Sequence, residues 1–67
     1  MIFRVELYNP RTGQWVDSGL RNALDDLWGS DALARADVDA WRAQHRGYEA
    51  AHENKPTACG WRVEKIR

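Results

Sequence analysis

Three side chains in the second half of the chain, His45, His52 and Cys59, are of types that bind metal ions or act in catalysis. A structural zinc site normally has four ligands with at least one closely spaced pair. Each of these residues lies seven positions from the next, and the chain has no further His or Cys. A catalytic thiol needs a base and an orienting group in a pocket, which a chain of 67 residues has little room to form. The sequence therefore predicts no metal site, no cofactor and no enzymatic activity.

Two short acidic motifs, Asp25-Asp26 and Asp37-x-Asp39, are further candidates for a functional site. Neither matches a paired-carboxylate motif for acid–base catalysis, and such residues usually cap a helix or lie on its surface. The charge is nevertheless uneven: residues 20–53 carry −3 and residues 54–67 carry +3, within a chain of zero formal net charge. The four aspartates are therefore candidates for an acidic surface that docks on a basic partner.

Arginine and aromatic side chains near both ends of the chain give a second group of binding candidates: Arg4, Tyr8, Arg11, Trp15 and Arg62. Trp, Tyr and Arg are enriched at the energetically dominant positions of protein interfaces. The same side chains can stack on nucleic acid bases and hold them. Either use requires a fold that gathers them on one surface, and the strand pattern predicts such a fold.

The N-terminal part of the chain is predicted to form a β-hairpin. Residues 2–8 alternate between two faces, and the apolar face carries Phe3, Val5 and Leu7. Residues 9–13 contain a Pro and a Gly where a turn needs them, and residues 15–18 form a second short strand. A four-residue loop then sets the following residues opposite each other: Asn9 and Gln14, Tyr8 and Trp15, Leu7 and Val16.

A third strand, residues 61–66, fits antiparallel beside the first strand in one register. That register joins two pairs of opposite charge and three apolar pairs: Arg4–Glu64, Glu6–Arg62, Ile2–Ile66, Val5–Val63 and Leu7–Trp61. A slip by one residue would turn every side chain to the wrong face. We therefore predict a three-stranded sheet of order 2-1-3 that is antiparallel throughout.

Two helices are predicted between the second and third strands. The first has helical spacing at Leu20, Ala23, Leu24, Leu27 and Trp28 and stops at Gly29. The second follows an N-cap at Ser30 or Asp37, contains Gly47 and ends before Asn54-Lys55-Pro56. Its apolar stripe is Ala34, Val38, Trp41, His45, Tyr48 and His52.

These elements predict one α+β domain over residues 1–67, in the order β-β-α-α-β, with one or two helices packed on one face of the sheet. Trp28, Trp41 and Trp61 are expected in the core. The other face is expected to remain uncovered and to display Ile2, Arg4, Glu6, Tyr8, Trp15, Asp17, Arg62, Glu64 and Ile66. The second strand is a free edge, to which a partner or a second copy could add a strand.

The composition places the chain among globular proteins, with 43% hydrophobic and 30% charged residues. No apolar run approaches the length of a membrane span, and no segment resembles a signal peptide. A single cysteine favours a reducing compartment, so the expected location is the cytoplasm. Zero net charge disfavours a protein that binds nucleic acid through bulk positive charge.

The order F-R-V-E-L-Y-N-P-R-T-G-Q-W-V, a helical segment and then G-W-R-V-E-K-I-R resembles small phage and prophage accessory proteins over the whole chain. Many of these combine a hairpin, a helical segment and a closing strand. The class includes anti-CRISPR proteins and other inhibitors, which usually bind a host complex stoichiometrically. The resemblance implies a non-enzymatic inhibitor with a protein partner and assigns no residue a role.

Three functions follow as hypotheses. The leading one is a protein–protein interaction module that uses the uncovered sheet face, with the acidic residues as a possible second docking surface. The second is a small nucleic-acid-binding protein that uses the same aromatic and arginine side chains. The third is a structural homodimer that closes the edge strand or the uncovered face against a second copy.

Overall fold

The structure is a computed structural model that describes residues 1–45 and 51–67. It confirms an α+β fold, with one helix and one sheet among the described residues. The elements are β1 (Phe3–Asn9), β2 (Gln14–Asp17), α1 (Asp31–Gln44), β3 (His52–Glu53) and β4 (Gly60–Lys65). The order of the strands in the sheet is β2-β1-β4-β3.

The predicted hairpin and its register are confirmed. β1 and β2 pair antiparallel, with Tyr8 opposite Trp15 and Asn9 opposite Gln14. The loop closes through hydrogen bonds from the N–H groups of Thr12 and Gly13 to the carbonyl oxygen of Asn9. Gly13 has a φ of 73°, a left-handed conformation that glycine adopts without strain.

The predicted register between the first and last strands is also confirmed. β1 and β4 pair antiparallel, with Val5 opposite Val63 and Glu6 opposite Arg62. The pairing continues beyond the strand ends, because the N–H of Ile66 donates to the carbonyl oxygen of Ile2. Strand β1 is therefore hydrogen-bonded on both sides along most of its length.

The prediction of three strands, antiparallel throughout, is wrong in one respect. A fourth strand, β3, lies beside β4 and runs parallel to it, with His52 opposite Gly60 and Glu53 opposite Trp61. His52 therefore lies in a strand and not on the stripe of the second predicted helix. A strand of two residues has no periodicity to detect, and it forms because the loop over residues 54–59 turns the chain tightly back onto β4.

The first predicted helix, over residues 20–28, is also wrong, because these residues form a loop. The side chain of Asn22 accepts hydrogen bonds from the N–H groups of Leu24 and Asp26 and donates one to the carbonyl oxygen of Leu27. Asp25 takes a left-handed φ of 60°. Asn and Asp side chains compete with the helical hydrogen-bond pattern in this way. Leu24, which the helix would have buried, is 87% exposed.

Helix α1 begins where Ser30 caps it, as the first of the two alternatives predicted, and Asp37 lies within the helix instead of capping it. The Ser30 hydroxyl accepts a hydrogen bond from the N–H of Leu33. The helix ends at Gln44, earlier than predicted, and His45 is its exposed C-cap. Two other predicted members of this helix, Gly47 and Tyr48, lie outside the described residues.

The core lies between α1 and the face of the sheet that carries Val5. Its buried members are Val5, Trp28, Ala34, Val38 and Trp61, so two of the three predicted core tryptophans are confirmed. Trp41 is only half-buried, and the centroid of its ring lies 4.9 Å from the centroid of the His45 ring. Trp28 reaches the core from the loop over residues 20–28, where its backbone pairs with that of Phe3, the first residue of β1.

No helix within the described ranges combines the length and the apolar character that crossing a membrane requires.

Gly60 is expected not to tolerate a side chain. A Cβ atom at this position would overlap the carbonyl oxygen of Lys55 and lie 2.9 Å from its carbonyl carbon. Because backbone would have to move, Gly60→Ala is expected to lower the free energy of unfolding by about 1 to 3 kcal/mol, measured by urea denaturation. Gly29→Ala is the control, because nothing lies within 4 Å of its added Cβ. Equal stability of the two variants would contradict this packing.

Candidate binding surface on the open face of the sheet

The face of the sheet that points away from α1 is here named the open face. Alternation along each strand sends one set of side chains to this face. Strands β1, β2 and β4 contribute to this one surface. In the register of the sheet, Tyr8 lies opposite Trp15, and Glu6 lies opposite both Asp17 and Arg62. Its central members are Arg4, Glu6, Tyr8, Trp15, Asp17, Arg62 and Glu64. The structure thus brings together four of the five predicted arginine and aromatic candidates.

Glu6 occupies the centre of the open face and is only 2% exposed. Its carboxylate accepts hydrogen bonds of 2.7 Å from Nε of Arg4 and 2.7 Å from Nε of Arg62. Burial by itself would raise the pKa of Glu6, but the hydrogen bonds and positive charges of Arg62 and Arg4 outweigh it and hold the pKa below its usual value. The group is therefore a carboxylate clamped between two arginines.

The aromatic side chains of the open face pack against this ion cluster. The rings of Tyr8 and Trp15 meet edge to face, with their centroids 5.2 Å apart. The guanidinium carbon of Arg62 lies 4.7 Å from the centroid of the Trp15 ring, in a cation–π contact. Tyr8 and Trp15 are both half-buried. One arginine therefore joins the buried carboxylate to the aromatic pair and fixes the geometry of the cluster.

The charges of the open face largely cancel one another. A carboxylate oxygen of Asp17 lies 3.1 Å from a guanidinium nitrogen of Arg21. Hydrogen bonds from Arg21 and from the N–H of Gly19 hold the pKa of Asp17 below its usual value. Arg62 also lies 3.6 Å from Glu64. The surface is therefore rich in arginine and aromatic groups without being strongly positive.

The fifth candidate of this group, Arg11, lies in the hairpin loop and not on the strands. It is exposed, and its N–H donates to the side chain of Asn9. Strand β2 is an edge strand among the described strands, as predicted. Because the N–H of Ser18 donates to Val5, the antiparallel alternation points the backbone polar groups of Trp15 and Asp17 outward.

The four acidic candidates do not share one helix. Asp25 and Asp26 lie in the loop over residues 20–28, whereas Asp37 and Asp39 lie on α1. Asp37 accepts a 2.7 Å hydrogen bond from Nε1 of Trp28, which gives it a structural partner. A carboxylate oxygen of Asp39 lies 3.4 Å from a guanidinium nitrogen of Arg42, in an ion pair. The predicted acidic docking surface is therefore dispersed over two elements, and its Asp37 position is tied to the core.

The two histidines and the cysteine, whose side chains are of types that bind metal ions or act in catalysis, lie in different elements. His45 is the C-cap of α1, His52 begins β3, and Cys59 is an exposed free thiol in the turn before β4. Across residues 1–45 and 51–67, no group of three His, Cys, Asp or Glu side chains is arranged to hold a metal ion.

Glu6 is among the side chains predicted for this face, but its place at the centre of the site is a feature that only the structure shows. The available signal was the position of Arg4 two residues before Glu6, on the same face of the strand. Together with Arg62 across the sheet, it gives one carboxylate two arginine neighbours. The predicted partner of Arg4, Glu64, is its opposite residue in the register, yet the observed ion pair of Arg4 is with Glu6.

No protein-family model, no curated protein and no solved structure matches this chain. A functional proposal therefore rests on the geometry of the open face.

Proposed function

We propose that this chain is a non-enzymatic protein–protein interaction module that binds its partner through the open face. The observation that carries the proposal is the Tyr8–Trp15 pair held by Arg62, which is itself held by buried Glu6. Aromatic and arginine groups that are rigid before binding lose little conformational entropy in a complex. They are also the residues that dominate interface energetics.

A protein partner fits this face better than a nucleic acid. A surface that binds the phosphate backbone needs positive charge that is available to the phosphates. Arg4 and Arg62 are instead both paired with Glu6. With Asp17 and Glu64 nearby, the open face carries no excess of positive charge. We therefore expect affinity that changes little with salt, because few counterions are released on binding.

The resemblance to phage and prophage accessory proteins supports a more specific form of the proposal. In this form the chain is a cytoplasmic inhibitor that occupies a surface of a bacterial host complex in the manner of anti-CRISPR proteins. Inhibition by occupancy needs an interface and a fold but no catalytic group. A structural homodimer that pairs β2 with a second copy is the alternative, which sedimentation of the purified chain tests.

The Tyr8→Ala/Trp15→Ala double variant is expected to lose partner binding by a factor of 100 or more. Each substitution removes an aromatic side chain of the kind whose loss costs about 2 kcal/mol or more at the centre of an interface. The measurement is a tagged pull-down from nuclease-treated bacterial lysate, read by mass spectrometry and followed by titration of the captured protein. Trp15→Ala alone provides the same test if the double variant fails to fold.

The matched control is Leu24→Ala/Leu33→Ala, which removes two large apolar side chains that are 87% and 59% exposed and that belong to the loop over residues 20–28 and to α1, not to the strands of the open face. A partner that the control retains and the aromatic variant loses supports the proposal. Equal capture by both variants would show that the open face is not the binding surface. Loss of capture after nuclease treatment would indicate a nucleic acid ligand instead.

A further inference from the structure

The outer edge of β2 presents backbone hydrogen-bonding groups to a further strand. β2 is the first strand in the order of the sheet over the described residues. The N–H of Ser18 donates inward, to the carbonyl oxygen of Val5. The antiparallel alternation therefore turns the N–H and carbonyl groups of Trp15 and Asp17 outward. An extended backbone is the partner that can pair with all four of these groups together.

Apolar side chains at the same edge are left partly uncovered. Leu7 and Val16 lie opposite each other on the side of the sheet that faces α1, and each is 42% exposed. Trp15 lies on the open face of β2 and is half-buried. An added strand would cover Val16 with one side chain and contact Trp15 with the next, because side chains alternate along a strand. It would therefore bury apolar surface on both sides of the sheet.

The Asp17 end of this edge has more negative than positive charge. The guanidinium of Arg21 donates two hydrogen bonds to Asp17. These hydrogen bonds and the charges of Asp25 and Asp26 raise the pKa of Arg21 above its usual value. Three carboxylates thus act on one guanidinium. A residue paired opposite Asp17 is therefore favoured by a positive charge and disfavoured by a negative one.

We infer that the partner adds an extended, antiparallel strand to β2, with a basic residue opposite Asp17, an apolar residue opposite Val16 and an aromatic residue opposite Trp15. The inference rests on the function proposed above, because the added strand enlarges the open face. Antiparallel pairing lets Trp15 and Asp17 each exchange two hydrogen bonds with the residue opposite. From its N-terminus, the partner segment therefore has the order basic, apolar, aromatic.

The test is a titration of the ¹⁵N-labelled full chain with the blocked peptide acetyl-Thr-Lys-Val-Tyr-Thr-amide, followed by NMR. The amide proton signals of Trp15 and Asp17 are expected to move downfield as they gain carbonyl acceptors, with a dissociation constant on the order of 1 mM. Replacing the Lys of the peptide by Glu should weaken binding about threefold. Equal binding of the two peptides would overturn the basic residue.

Two N-methylated forms of the peptide separate strand pairing from contact between side chains. In the inferred register the N–H of the peptide Tyr faces β2, whereas the N–H of the peptide Val faces away. N-methylation of the Tyr is expected to weaken binding about tenfold or more, and N-methylation of the Val to leave it unchanged. Equal binding of the two forms, or no shift with any peptide, would overturn strand addition.

Asp17→Pro makes the corresponding change in the chain, since it removes an outward N–H from an edge strand, where proline is tolerated. Asp17→Ala is the matched control, because it loses the same side chain and keeps that N–H. Loss of peptide binding and of the captured partner by Asp17→Pro, with both kept by Asp17→Ala, would support the added strand. Downfield shifts of the same two signals when the chain alone is concentrated would assign the edge to a second copy and overturn the partner strand.

The two proposals fail in different experiments. A captured partner that Asp17→Pro retains and Tyr8→Ala/Trp15→Ala loses would overturn strand addition and leave the proposed function standing. A partner that the aromatic variant retains would overturn the proposed function. The peptide titration requires no captured partner, so it decides strand addition in either case.

Discussion

A Trp28→Ala variant is expected to be largely unfolded under conditions where the native chain is folded. Removing a buried tryptophan costs about 3 to 5 kcal/mol, which is close to the whole stability that the core of a chain this short supplies. Trp28 is one of five buried hydrophobic residues in the part of the chain that the structure describes, and it connects the loop over residues 20–28 to α1. The measurement is urea denaturation followed by circular dichroism at 25 °C.

Trp15→Ala is the matched control for this prediction, because it removes the same atoms from a half-buried position on the open face. It is expected to cost about 1 to 2 kcal/mol. Asp37→Ala separates the hydrogen bond from the packing, since it leaves the Trp28 indole N–H unpaired at a cost of about 1 to 3 kcal/mol. A Trp28→Ala variant as stable as Trp15→Ala would contradict the placement of Trp28 in the core.

The strand register was predictable because several independent pairings agree on it. Apolar and oppositely charged residues of the first and last strands match at a single offset, and a slip would expose Val5 and bury Arg4 on the core side. The hairpin was predictable because Pro10 and Gly13 supply turn chemistry between two alternating segments. Such features are local or pairwise, so a single sequence carries them.

The middle of the chain was less predictable because side-chain hydrogen bonds override its helical spacing. Leucines at helical intervals predict a helix over residues 20–28, but Asn22 satisfies the backbone of this segment from its own amide. The parallel pairing of β3 depends on a tight loop that brings Lys55 against Gly60. Neither feature changes the apolar pattern from which elements are predicted.

The candidate site was predictable in its members but not in its organisation. Alternation and register are enough to place Tyr8, Trp15 and Arg62 on one face. They do not show that Glu6 becomes buried on the face of the sheet that points away from α1, the helix of the described residues. That burial arises because Arg4 and Arg62 fold over the carboxylate, and the side-chain conformations of arginine leave no trace in a hydrophobic pattern.

A Glu6→Gln variant is expected to lose about 2 to 3 kcal/mol of stability at pH 7. Removing one member of a buried ion cluster usually costs about 3 to 5 kcal/mol. Here the cost is smaller, because the side chains of Arg4 and Arg62 are 35% and 31% exposed and can be hydrated again. The same substitution is expected to weaken partner binding, since Arg62 would no longer be held against Trp15.

The pH dependence separates the ion cluster from packing. The pKa of Glu6 is lower in the folded chain than its usual value of 4.5, so the unfolded state takes up the proton first as the pH falls. The stabilisation by Glu6 is therefore complete above the unfolded-state pKa and is lost as the pH falls through the folded-state pKa. The difference in unfolding free energy between native chain and Glu6→Gln should accordingly shrink in acid.

Glu64→Gln makes the same chemical change on the same face, at a side chain that is 47% exposed. It should alter stability by less than about 0.5 kcal/mol, because an exposed ion pair contributes little. Urea denaturation of the three proteins at pH 7 and at pH 3 makes the comparison. A gap for Glu6→Gln that stays constant with pH would show that shape, and not charge, makes Glu6 necessary. A gap that closes in acid would show that the charge of the Glu6 carboxylate, held by Arg4 and Arg62, is what stabilises the fold.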